Sequence, residues 1–88
     1  MKRNPNYFLQ GTADLLVIVP VGRAASDFPG MLTVNETGAL LWELLELDQT
    51  EETLSAALQE CFDALPKQIS ADVAQFLQQL RLAGALVE

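Results

Sequence analysis

The sequence predicts an α+β domain in which three short strands precede three helices. Three observations carry this. Apolar runs rich in β-branched residues fall before Asn35. From Asn35 onward, apolar residues recur at helical spacing behind capping residues. No repeat, low-complexity tract or long linker divides the two parts, and 88 residues suit one domain, so residues 1–88 are read as a single unit.

Tyr7 to Gln10 reads as the first strand, closed by a Gly11-Thr12 turn signal. Leu15-Leu16-Val17-Ile18-Val19, bounded by Asp14 and Pro20, reads as the second, near enough to pair with the first as a hairpin. This run is apolar on both faces, so both need cover or a partner. Val21 to Gly30 holds Gly22, Ser26, Asp27, Pro29 and Gly30 and reads as a long loop. Met31-Leu32-Thr33-Val34 is the third strand.

Asn35 fits a helix N-cap, and Glu36 complements the positive end of the dipole. Leu40, Leu41, Leu44 and Leu45 form the stripe of the first helix, with Trp42 on a neighbouring face and an exit at Asp48-Gln49. Thr50 caps the second helix, whose stripe is Leu54, Ala57, Leu58, Cys61 and Phe62. Pro66 and Lys67 fall in the next connection. Ser70 is the candidate cap of the third helix, with Asp72 in its first turn and Val73, Phe76, Leu77 and Leu80 as its stripe. Gly84 suits a left-handed stop, and Ala85-Leu86-Val87 reads as an extended tail against the core. Three short helices with a β-wing also describe a winged helix-turn-helix, although periodicity does not fix that topology.

Composition narrows the function. Hydrophobic residues make up 50% of the chain, which argues for a packed core and against disorder. Five basic residues against 12 acidic ones give a net charge of −7, too few cations for a phosphate footprint and the wrong sign for anionic membranes. Cys61 is the single cysteine, so no internal disulfide forms. The basic start, Met1 to Asn6, leads into no signal-peptide core, and the apolar stretch Leu15 to Val21 is too short to span a bilayer. The expectation is a soluble cytoplasmic protein with no nucleic-acid or membrane partner.

Catalytic chemistry lacks its residues. With no histidine and one cysteine, only carboxylates could bind a metal, and no segment has calcium-loop spacing. Cys61 has no histidine to activate it and lies on an apolar stripe, so it reads as a core cysteine. The acidic residues sit at helix starts, in loops and on exposed faces, with no sign of a desolvated pair. Phosphate-binding glycine loops are absent. Asn35-Glu36-Thr37-Gly38 reads as a cap and first turn in which Gly38 permits close packing. Trp42 reads as structural. Neither a catalytic residue nor a cofactor is expected. The remaining feature is the edge that any small sheet must have, which can accept an extended peptide as an added strand.

Three ordered segments carry a resemblance. The first is Leu32-Thr33-Val34-Asn35-Glu36-Thr37-Gly38-Ala39-Leu40-Leu41-Trp42-Glu43-Leu44-Leu45. The second is Thr50-Glu51-Glu52-Thr53-Leu54-Ser55-Ala56-Ala57-Leu58. The third is Asp72-Val73-Ala74-Gln75-Phe76-Leu77-Gln78-Gln79-Leu80-Arg81-Leu82-Ala83-Gly84-Ala85-Leu86. Together they resemble the PqqD family, named for coenzyme PQQ synthesis protein D. Leu16 to Gly22 also looks like the second strand of many relatives. Departures are Asp48-Gln49 where relatives usually carry Asp-Gly, and Thr53 in place of a more common Glu.

The resemblance implies a winged helix-turn-helix fold without DNA binding. It implies that the chain holds the leader segment of a ribosomally made precursor peptide and presents it to a modifying enzyme, a radical-SAM protein in the family's name-giving system. The leader would add to the third strand, at Met31, Leu32, Thr33 and Val34, and pack against the third helix. Asp72, Val73, Phe76, Gln79 and Leu80 are the candidate lining residues there. The alternatives are an acidic winged-helix transcription regulator and an accessory subunit without a peptide ligand. Because an exposed edge can also pair with itself, a homodimer stays open.

Overall fold

The computed structural model describes residues 1–11, 15–22 and 32–88. Thr12, Asp14, residues 23–30 of the loop expected from Val21 to Gly30, and Met31 lie outside the described residues. The elements run β1 (Lys2–Arg3), β2 (Tyr7–Gly11), β3 (Leu16–Pro20), β4 (Leu32–Val34), α1 (Glu36–Leu44), α2 (Glu51–Cys61), α3 (Pro66–Ala83) and β5 (Leu86–Val87). β2, β3 and β4 form an antiparallel sheet in that order, with Phe8 opposite Val19 and Val17 opposite Thr33. This is the α+β arrangement read from the sequence.

β3 is the central strand, and its lack of alternation has a structural counterpart. Ile18 and Val17 point to opposite faces, yet they are only 1% and 5% exposed. Ile18 joins the main core with Leu41, Trp42 and Leu45 of the first helical segment, Leu54 and Leu58 of α2, and Ile69, Val73, Phe76, Leu77 and Leu80 of α3. Val17 is buried outside that cluster. Trp42 lies within the core, in keeping with its structural reading.

Local chemistry explains the helix ends. Asn35 Oδ1 accepts from the Gly38 amide at 2.8 Å, satisfying a donor that the first turn leaves without a helical partner. At Thr50 the bonding is reciprocal: Thr50 Oγ1 accepts from the Thr53 amide at 3.2 Å, and Thr53 Oγ1 accepts from the Thr50 amide at 2.9 Å. Thr53, the departure from the common Glu, completes this box. Gly84 adopts φ 76° and ends α3, where a side chain would meet the left-handed steric penalty.

Two expectations are corrected. α3 begins at Pro66, not after Ser70, and Ser70 lies exposed within the helix. Proline at the first helical position needs no amide partner and already has a helical φ, so Leu65 can precede it without a side-chain cap. Ile69, buried one turn before Val73, extends the stripe to match. Cys61 is exposed rather than in the core. It is the last residue of α2, and the chain turns extended at Phe62, so the apolar stripe ends before it.

The N-terminal segment is an element that the sequence reading missed. β1 pairs antiparallel with β5, Lys2 opposite Val87 and Arg3 opposite Leu86. The Arg3 amide donates to Leu45 O and the Asn4 amide to Ala85 O, each at 2.8 Å. The Tyr7 hydroxyl donates to Ala83 O at 2.7 Å in a buried bond. The N-terminal amine donates to Asp48 Oδ1 and to Gln49 O. These bonds hold the N-terminal segment to the helix ends. No helix among the described residues is long and apolar enough to cross a membrane.

Candidate functional site

Among the described residues β4 is an edge of the sheet, hydrogen-bonded to β3 on one side. Beside it lies a cleft of about 280 Å³ between the β4–α1 junction and α3. One wall is Thr33, Val34, Asn35, Thr37 and Gly38, and the other is Asp72, Gln75 and Gln79, with Leu41 and Phe76 between them. Leu41 is 1% exposed and Phe76 is 7% exposed, so they make a packed apolar base under a polar rim.

Gly38 sets how closely these walls approach. A β-carbon there would lie 3.0 Å from Phe76 Cε1 and 3.2 Å from Val34 Cβ. The start of α1 therefore rests against both residues without a side chain between. On α3, Asp72, Gln75, Phe76 and Gln79 fall at i, i+3, i+4 and i+7, which is one helical face. Gln68 Nε2 donates to Asp72 Oδ1 at 3.2 Å. Among the described residues, no lysine or arginine lines the cleft.

Five of the candidate residues therefore meet at one place: Thr33, Val34, Asp72, Phe76 and Gln79. Leu32 is half-buried and packs against the core from β4. Val73 and Leu80 are buried in the core and do not line the cleft. Met31 lies outside the described residues. Thr37, Leu41 and Gln75 line the cleft without having been singled out for it. The helical face shared with Asp72 and Gln79 is the signal that points to Gln75. Among the described residues, no cluster of three or more His, Cys, Asp or Glu side chains could hold a metal ion.

These features define a small α+β domain with a side-chain-lined cleft running beside an open sheet edge. Residues 16–86 match the family model described as coenzyme PQQ synthesis protein D (PqqD), and the chain belongs to that family. The structure is similar to a solved structure of TbiB1 in complex with the TbiA(beta) leader peptide, with a TM-score of 0.74 and 19% identity. The match covers 98% of this chain and 94% of that one. At this identity the likeness speaks to the fold. A search of curated proteins finds no match.

Proposed function

We propose that this chain binds the leader segment of a ribosomally synthesised precursor peptide and presents it to a peptide-modifying enzyme, performing no chemistry itself. The observation that carries this reading is the cleft between β4 and α3, in which an edge strand and a helix face flank one channel. An extended peptide can gain backbone hydrogen bonds from β4 while its alternate side chains enter the cleft. The leader peptide bound in the TbiB1 structure supports the same ligand class. Holding the leader raises the effective concentration of the modifiable segment at the enzyme. A DNA-binding reading gains nothing from the described lining of this cleft, which includes no cation.

The test is an amide-shift titration with the leader peptide encoded beside the gene. Shifts concentrated at Leu32–Val34 and on the Asp72, Gln75 and Gln79 face support the proposal. Saturating peptide that leaves these amides unmoved defeats it.

A further inference from the structure

A second concavity, of about 510 Å³, opens between β1, β2 and the C-terminal part of α1. Its walls include Lys2, Arg3, Pro5, Phe8, Trp42 and Glu46. Two of the five lysines and arginines in a chain of net charge −7, consecutive residues of β1, thus border it. Among the described residues neither makes an ion pair. The pairs that form join the N-terminal amine to Asp48 and Arg81 to Glu88.

Arg3 is held in place. Its Nη1 donates to Trp42 O at 3.3 Å, and its guanidinium carbon lies 5.8 Å from the centroid of the Trp42 ring. One hydrogen bond leaves most of the guanidinium donors available, in the planar fork that matches a carboxylate. Phe8 stands beside these cations on β2, 54% exposed. Aromatic residues and arginine together are the side chains enriched at the energetic centres of protein interfaces.

We infer that this concavity docks an acidic segment of a second protein, its carboxylates on Lys2 and Arg3 and an apolar side chain on Phe8. On the function proposed above, that protein is the modifying enzyme. Charge selects the sign of the occupant. The strongly acidic chain repels an acidic segment over most of its surface, so Arg3, with Lys2 beside it, becomes its landing point; among the described residues Glu46 is the acid on the wall, and the Lys2 charge is partly engaged by Asp48 outside it. Among the described residues β2 and β4 are opposite edges of the sheet, which leaves the leader cleft open while this surface is occupied. The two sites share α1: Leu41 lines the cleft, and its neighbour Trp42 lines the concavity.

The probe is a short blocked peptide of pattern Asp-Glu-Phe-Glu-Asp, compared with its lysine-substituted counterpart, titrated into the full chain while amide and Trp42 indole shifts are followed. The expected result is saturable shifts from Lys2 to Leu9 and at the indole, no response to the basic peptide, and about fivefold weaker binding in Lys2→Glu. Lys2 is exposed but its charge also acts on Asp48, so Phe8→Ala, at an exposed position, is the second variant and should weaken binding likewise. No saturable shift, an equal response to the basic peptide, or shifts centred on Thr33 and Gln75 overturns the inference. Leader binding is read separately from Thr33 and Gln75, so failure of one proposal is distinguishable from failure of the other.

Discussion

Gly38 lies so close to Phe76 that a β-carbon on it would sit 3.0 Å from the ring. Gly38→Ala therefore sets two effects against each other. Alanine gains up to about 1 kcal/mol of helix propensity, while the added methyl must displace Phe76 at the base of the cleft or Val34 on its wall. The expected outcome is a small change in urea stability and a clear loss of leader affinity by calorimetry. Unchanged affinity would show that the cleft tolerates the displacement.

A proline scan of β4 separates the two sides of the edge. Proline removes an amide donor. At a position whose N–H points away from β3, it should abolish peptide binding and leave the sheet paired. At a position whose N–H faces β3, it should destabilise the fold, seen as a lower urea midpoint. A folded variant with an outward-facing proline and full affinity would rule out strand addition.

Tyr7→Phe tests the tether between β2 and the end of α3. It leaves the buried Ala83 carbonyl without the hydroxyl that now donates to it at 2.7 Å. The expected cost is about 1–3 kcal/mol in urea unfolding, because a buried acceptor loses its partner.

Cys61 should react with a maleimide in the native protein, without denaturant, because it is exposed at the end of α2. Protection equal to that of a core thiol would contradict its placement.

Asp48 gives stability an acid dependence. The hydrogen bond from the N-terminal amine, and then its charge, hold the Asp48 carboxyl below the usual carboxylate range. A depressed folded-state pKa contributes stability that is present above the unfolded-state value and is lost as pH falls through the folded-state value. Asp48→Asn should therefore lower the urea midpoint near neutrality, and the two curves should converge in acid.

The parts legible in the sequence were those written locally. Asn35 and Thr50 announce helices because a side-chain cap bonds within its own first turn, and Gly84 announces a stop because few other residues adopt its φ. The start of α3 was misread because Ser70 looked like a cap, while Pro66, a start signal in its own right, looked like a connection. The β1–β5 ladder was illegible for a different reason. Two residues show no periodicity, and their partners lie at the other end of the chain. In the site, Asp72, Phe76 and Gln79 came from family resemblance and do line the cleft. Val73 and Leu80 came from it too, but a stripe that packs the core and a face that borders a cleft are adjacent on one helix. Only the placed neighbours separate them.

The pairing of Lys2–Arg3 with Leu86–Val87 has an architectural consequence. Chain entering through one of these strands can leave through the other, about 5 Å away across a single ladder. A longer polypeptide could therefore carry this fold as an insertion, with both connections departing from one spot. Equally, a short bridge between the two strands would let new ends be opened in a surface loop. In neither arrangement would the added chain have to pass the β4 edge.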